Sequence, residues 1–227
     1  MLEAFGNAKT TRNNNSSRFG KFIQVNIQAQ SGNITSAKIL TYLLEKSRAV
    51  SVGEEERSYH IFYQGLASAE IRDKYRLTSA NPADYGFLRS ATNTYTIQGV
   101  NDAEGYELTM ACMRSLGFTE EEIDSIWQII IAILNLGNVD YRVDAENDEA
   151  YIKDADRANV LRAAELLQLP DAEQLIGALE TKVVKYPGQV IATRYQLNEA
   201  IPARNSCAKT IYGKLFNWIV SKCNANI

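Results

Sequence analysis

Proline and histidine are scarce in this 227-residue chain: four prolines and one histidine, His60, beside thirteen glycines. So little proline and glycine excludes a disordered linker and calls for a packed core. A lone histidine excludes a multi-histidine metal site, and no partner for an imidazole triad is advertised; metal binding by Asp and Glu alone stays open. Cysteine is equally thin. Cys112, Cys207 and Cys223 are odd in number and form no CxxC pair, which reads as reduced, cytosolic thiols rather than a disulfide framework or zinc site.

There is no cationic excess. Lys and Arg number 24 against 27 Asp and Glu, a formal net charge of −3, which removes the general electrostatic case for nucleic acid or an anionic membrane as the main partner. No basic, apolar leader opens the chain, and the most apolar run, Ile126 to Leu136, is too short to span a bilayer and reads as a buried helix. A chain of this length buries roughly 70% of its unfolded surface and needs no covalent staple.

What is present is mostly helical periodicity. Leu2 to Gly6 reads as a last helical turn closed by glycine, followed by a polar loop from Lys9 to Ser17. Phe19 to Ala29 alternates apolar and polar residues, the pattern of a half-buried strand, and Ser31-Gly32-Asn33 marks a turn before Ile34 to Val50, a second strand or short helical stretch. Tyr59, Phe62, Tyr63 and Leu66 share one helical face that Ser58 is placed to cap. Thr119-Glu120-Glu121-Glu122 is a capping box opening a helix with Ile123, Ile126, Trp127, Ile130 and Leu134 on its apolar face, closed near Gly137. Asp154 to Leu167 and Asp171 to Leu179 are amphipathic helices split by Pro170, and Val183 to Tyr186 and Val190 to Tyr195 flank Pro187-Gly188 as a β-hairpin. A last helix from about Asn198 to Asn224 carries Ala208, Ile211, Tyr212, Leu215 and Ile219 on one stripe and tolerates Pro202 only in its first turn. Core packing is the expectation for Trp127 and Trp218, a hydrogen-bonded structural role for His60, and a solvated loop for Glu54-Glu55-Glu56.

One loop stands apart. Asn13-Asn14-Asn15-Ser16-Ser17-Arg18-Phe19-Gly20-Lys21-Phe22 leads directly into a strand; by composition it reads as a surface turn, and its amides and hydroxyls also suit Mg²⁺ and phosphate oxygens. With its flanks it resembles switch I of the myosin motor domain, matching Asn-x-x-Ser-Ser-Arg-Phe-Gly-Lys-Phe at Asn13, Ser16, Ser17, Arg18, Phe19, Gly20, Lys21 and Phe22. The resemblance continues in order through Leu2-Glu3-Ala4-Phe5-Gly6-Asn7-Ala8-Lys9-Thr10, Thr41-Tyr42-Leu43-Leu44-Glu45-Lys46-Ser47-Arg48, Tyr59-His60-Ile61-Phe62-Tyr63-Gln64, Leu134-Asn135-Leu136-Gly137-Asn138, and Ala208-Lys209 with Tyr212, Leu215, Phe216 and Trp218.

The resemblance implies roles. Ser17 would place its hydroxyl on Mg²⁺, Ser16 would contact the γ-phosphate and help position the attacking water, and Asn13 would bind phosphate oxygens, with Asn7 and Arg12 near the nucleotide. Arg18 would pair with a glutamate of switch II, which this chain does not contain. The hairpin from Val183 to Tyr195 resembles the family's cardiomyopathy loop and so implies actin contacts at Lys185, Gln189 and Arg194, with Lys182 adding charge. The position that the family gives to an acidic or phosphorylatable residue falls on Gln189, which is neither, and Pro202 and Asn205 also depart from its usual aromatic and acidic choices.

No G-x-x-x-x-G-K-[ST] motif and no switch II motif occurs, so the expectation is a fragment, a truncated gene model or an incomplete reading that does not hydrolyse ATP alone. The expected fold is mainly α with a small β component (α+β), part of the P-loop NTPase motor fold. Residues 1–30 would be the switch I loop and a central-sheet strand lacking its partner strands, and residues 31–227 the mostly helical upper actin-binding subdomain. The implied function is part of an actin-based, ATP-driven cytoskeletal motor in the cytoplasm, with ATP, Mg²⁺, actin filaments and the remainder of the motor domain as partners. The alternatives are a non-catalytic helical actin-binding or scaffold module, and a kinesin-like motor. Kinesins share Asn-x-x-Ser-Ser-Arg but continue with Ser-His, where Phe19-Gly20 stands here.

Overall fold

A computed structural model describes residues 1–186 and 189–226. Helix α1 (Leu2–Gly6) leads into two short strands, β1 (Asn7–Ala8) and β2 (Ser16–Ser17), and then a longer antiparallel pair, β3 (Gly20–Ile27) and β4 (Ile34–Tyr42). The helices α2 (His60–Ala67), α3 (Ala69–Tyr75), α4 (Asp102–Ser115) and α5 (Glu120–Gly137) come next. Strands β5 (Tyr141–Val143) and β6 (Ala150–Ile152), helices α6 (Arg157–Leu166) and α7 (Ala172–Glu180), strands β7 (Thr181–Tyr186) and β8 (Gln189–Arg194), and the long helix α8 (Leu197–Ala225) complete the order. About half of the described residues are helical, and every sheet among them is a two-stranded antiparallel pair, which makes the fold α+β. The expected turn at Pro187-Gly188 lies outside the described residues, as do Ile227 and the side chain of Lys185. No helix among the described residues is long and apolar enough to cross a membrane.

Helix α5 is the centre of the core because its second half is almost wholly apolar. Ile126, Trp127, Ile130, Ile131, Ala132, Ile133 and Leu134 are all buried, so this part of the helix must be covered by neighbours on most sides. Helices α3, α4, α6 and α8 do the wrapping. Trp127 tilts against Tyr106 at 5.6 Å between ring centroids and donates its indole N–H to Met110 Sδ at 3.4 Å. Burying a side chain of that size contributes about 2–3 kcal/mol. The capping box that starts α5 forms as the sequence dictates: Thr119 Oγ1 accepts from Glu122 N at 3.2 Å, and Glu122 Oε2 accepts from Thr119 N at 2.9 Å. Lys222 of α8 then donates to the other carboxylate oxygen of Glu122 at 2.7 Å, tying the start of α5 to the end of α8.

Several local expectations are corrected by packing. The strand from Gly20 is not half-buried: every residue of β3 is exposed, with Phe22 and Ile27 showing 57% and 62% of their surface. Its partner strand is β4, in register from Gly20↔Tyr42 to Asn26↔Ser36, so the strand is not without a partner. Asn224 of α8 receives Ile39 N on its Oδ1 at 2.7 Å and donates to Ile39 O at 2.8 Å, which fastens β4 to the helical body.

Ser58 does not cap α2; its hydroxyl donates to Arg48 O at 2.7 Å, and the capping position is Tyr59, which makes no side-chain cap bond. Gly6 closes α1 without the left-handed backbone of a glycine cap. A Cβ there would lie 2.3 Å from Phe19 Cε1, so glycine is required by that close approach. Pro202 sits in the second turn of α8 rather than the first, and the helix continues through it. Trp218, on the stripe expected to be core, is 42% exposed and meets Phe118 edge-on at 5.9 Å.

Candidate functional site

Residues 7–18 form a closed loop on a rigid seat. Strand β1 pairs with β2 in the register Asn7↔Ser17 and Ala8↔Ser16, so both ends of the loop are clamped together. Arg18 N donates to Gly6 O at 2.8 Å, Arg57 N donates to Lys9 O at 3.0 Å, and Ala8 bridges to Tyr59. Below the seat, Tyr212 of α8 donates its hydroxyl to Phe5 O at 2.7 Å and stacks on Tyr59 at 5.0 Å, while Phe216 meets Phe19 edge-on at 5.0 Å. Buried aromatic contacts of this kind leave the seat little freedom to shift.

Within the loop, short polar side chains replace regular structure. Thr10 N donates to Asn13 O at 2.8 Å and Asn13 N donates to Thr10 Oγ1 at 3.1 Å, a tight turn closed from both sides. Asn13 Oδ1 accepts from Asn15 N at 2.8 Å, the local Asx geometry for which asparagine is suited. Arg12, Asn13 and Ser17 are exposed, and Asn7 is buried at the loop's root with its Nδ2 3.1 Å from Asn15 Oδ1. Ser17 donates its hydroxyl to Phe19 O at 2.9 Å, which points the proton inward and leaves the oxygen lone pairs outward.

Arg18 has a partner that the sequence did not indicate. Its Nε donates to Glu45 Oε2 at 2.6 Å and its Nη1 to Ser16 Oγ at 3.2 Å. Within this chain its partner is Glu45, on the segment after β4. Glu45 also accepts Arg48 Nε at 2.8 Å, and Arg48, almost wholly buried, reaches Glu56 at 2.9 Å. Burial alone would raise the carboxyl pKa of Glu45, but the hydrogen bonds and charges of Arg18 and Arg48 outweigh it and hold it below the ordinary carboxylate range. The four side chains form a neutral network in which one carboxylate serves two guanidinium groups.

Asn15 and His60 carry more of the loop's geometry than the sequence indicated. Asn15 Oδ1 lies 3.0 Å from His60 Nε2 and its Nδ2 donates to Glu3 Oε2 at 3.0 Å. Asn15 fills an unspecified position of the motif, and Glu45 lies in a second motif without an assigned role, so adjacency to the motif residues was the only available signal. Among the described residues, no group of three or more His, Cys, Asp or Glu side chains is arranged to hold a metal. The oxygen of Ser17 suits a hard cation that takes most of its ligands from phosphate and water, the mode in which Mg²⁺ uses one or two protein ligands.

The β7–β8 hairpin lies at the other end of α8, paired from Thr181↔Arg194 to Tyr186↔Gln189. Two of its basic side chains, Arg194 and Lys182, are paired with acidic neighbours. Arg194 donates to Glu180 Oε2 at 2.7 Å and lies 4.1 Å over the Tyr151 ring, and Lys182 pairs with Glu199. Gln189 is exposed.

Comparison with known proteins finds similarity over the full chain. The family model described as Myosin head (motor domain) matches residues 1–227. Myosin-15 of Arabidopsis thaliana is 40% identical over 227 residues, covering 100% of this chain and 15% of that protein. Myosin-5 of the same plant is 42% identical over 228 residues, with 100% and 15% covered, and Unconventional myosin heavy chain 6 of Caenorhabditis elegans is 42% identical over 224 residues, covering 99% of this chain and 10% of that protein. The chain thus spans roughly a tenth to a sixth of the length of these relatives. With a family match that runs from residue 1 to residue 227 and relatives about 40% identical over the whole of it, this chain belongs to the myosin head (motor domain) family.

Proposed function

We propose that this chain supplies the switch I loop and part of the actin-binding surface of an actin-based, ATP-driven motor built on the P-loop NTPase fold. The observation that carries the reading is the Asn13–Arg18 loop itself: a clamped hairpin with Asn13 exposed in the loop and Ser17 exposed on the strand that closes it, seated on a packed aromatic base.

In this reading Ser17 offers its oxygen to Mg²⁺, Asn13 offers its amide N–H₂ to phosphate oxygens, and Ser16 orients toward the γ-phosphate with its hydroxyl held by Arg18. Asn7 fixes the root of the loop, and Arg12 supplies charge near the nucleotide. Bound Mg²⁺ neutralises negative charge on the phosphate oxygens during phosphoryl transfer. The contribution of this chain is positioning, which in such chemistry is most of what a protein supplies.

Helix α8 offers a physical route between nucleotide and filament. Glu199 near its start holds Lys182 of the hairpin, and Tyr212 holds the loop's seat; at 1.5 Å per residue the two points are about 20 Å apart on one rigid element. A tilt of α8 moves both ends together, which couples opening of the nucleotide loop to the actin-facing hairpin with Lys185, Gln189 and Arg194. Because Lys182 and Arg194 are already paired, a filament contact by either competes with its partner, whereas Gln189 is exposed at the hairpin. The exposed apolar faces of β3 and β4 fit burial by the remainder of the motor domain, whose central sheet this hairpin would extend.

A chimera tests the reading: this chain replaces the corresponding segment of a related myosin head, and actin-activated Mg-ATP turnover is measured. Turnover is expected in the chimera and a loss of 100-fold or more with Ser17→Ala, on the order of removing one transition-state contact. Unchanged turnover with Ser17→Ala would retire the assignment. The non-catalytic binding module is separated by co-sedimentation of the chain with actin filaments in the absence of nucleotide.

A further inference from the structure

We propose that His60 is a positioning residue for the loop, holding it through Asn15 as the Nε2–H tautomer. The inference rests on the reading of this loop as the nucleotide-contacting element.

The Asn15 amide is oriented by its neighbours. Its Nδ2 faces Glu3 Oε2 at 3.0 Å, and a carboxylate only accepts, so the nitrogen belongs on that side. The oxygen therefore faces the other way, where Asn7 Nδ2 lies at 3.1 Å and His60 Nε2 at 3.0 Å. An amide oxygen also only accepts, so the imidazole must donate and its proton sits on Nε2. One side-chain amide thus joins α1 through Glu3, β1 through Asn7 and α2 through the ring of its first residue.

The tie matters because Asn15 stands between Asn13 and Ser16, two of the motif residues. Its N–H donates to Asn13 Oδ1 at 2.8 Å, and Ser16 is the next residue in the chain. Fixing Asn15 from below therefore sets the amide of Asn13 and the backbone that presents the Ser16 hydroxyl, while His60 itself contacts neither phosphate nor metal. The groups facing the ring are Arg57 from the segment before α2, Asp102 at the start of α4 and Glu3 on α1. Burial, and then the charge of Arg57, lower the imidazole pKa to about 4 against the opposing pull of Asp102 and Glu3, so the ring is neutral near pH 7. An imidazolium also carries Nε2–H, so the tie persists through protonation.

The experiment uses the full 227-residue chain without nucleotide. Long-range ¹H–¹⁵N correlation spectra of His60 are expected to show the Nε2–H tautomer at pH 7. His60→Ala is expected to raise hydrogen exchange at the Asn15 amide by about fivefold, the worth of one hydrogen bond, and His60→Gln, which keeps a donor, is expected to restore it. Asn15→Ala, a change on an exposed loop, gives an independent reading if His60→Ala does not fold: it is expected to shift the His60 Nε2 resonance with the helical circular dichroism unchanged. An Nδ1–H tautomer, unchanged exchange in His60→Ala, or an unmoved Nε2 resonance in Asn15→Ala overturns the proposal. Nucleotide enters none of these readouts. A tie that forms in a chain whose chimera gives no Ser17-dependent turnover retires the nucleotide reading and leaves the tie standing.

Discussion

Glu45 Oε2 accepts from Arg18 Nε at 2.6 Å and from Arg48 Nε at 2.8 Å, so a single carboxylate oxygen holds the motif arginine and a buried arginine together. Glu45 N also donates to Arg18 O at 2.9 Å, joining the two residues through backbone and side chain alike. Release of Arg18 would leave Glu45 still paired with Arg48, so the carboxylate would not be stranded.

Glu45→Gln is expected to destabilise the chain by about 1–2 kcal/mol, because it removes a charge that Arg48 needs while buried. Urea unfolding at pH 7 checks this. The pKa of Glu45 is depressed in the folded state, so its contribution is complete above the unfolded value and is lost as pH falls through the folded one. The variant should therefore lose less stability on acidification than the parent; equal losses count against the network.

His60 has a folded pKa near 4 against an ordinary value of 6.5, so its neutral form is the one that folds. Stability linked to it is complete above pH 6.5 and falls between pH 6.5 and 4. His60→Gln keeps the donor and removes the titration, and the slope of unfolding free energy over that window should flatten. A slope identical to the parent's would show that His60 is not a source of it.

Thr119→Ala removes the hydroxyl side of the capping box and is expected to cost about 1 kcal/mol. Thermal unfolding measures it, and Thr119→Ser, which keeps the acceptor, should remain close to the parent.

Gly86→Ala should be among the most disruptive single-methyl additions in the chain. A Cβ at Gly86 would stand 2.1 Å from Gly137 O, a backbone atom that cannot rotate away. The expected cost is about 3 kcal/mol or more, read as a fall in soluble yield and in the urea midpoint.

The 227-residue polypeptide alone is expected to show no Mg-ATP turnover, because it contains no G-x-x-x-x-G-K-[ST] segment to cradle the β- and γ-phosphates. Phosphate release in the presence of Mg-ATP checks this, and robust hydrolysis would overturn it.

Elements whose cause lies within a few residues were legible. The Thr119–Glu122 box, the apolar run of α5, the helix after Pro170 and the β7–β8 pairing all arise from neighbours in sequence. Burial of individual faces was less so. The alternation in Phe22 to Ile27 correctly marks a strand but not which face is covered, and the stripe on α8 does not reveal that Trp218 lies at its rim. Serine suits a local cap, yet at Ser58 the carbonyl of Arg48 competes successfully for the hydroxyl from ten residues away.

The sequence by itself determined the order of helices and strands, the loop motif and the family to which its residues point, since these depend on periodicity, capping and residue type. Only the tertiary structure decided the partners of that loop. Arg18 finds Glu45 27 residues on, and Asn15 finds His60 45 residues on, through the turn after β4 and the start of α2. No local preference specifies such pairs. They arise because the packed aromatic base beneath the loop brings residues far apart in sequence within hydrogen-bond reach of one another.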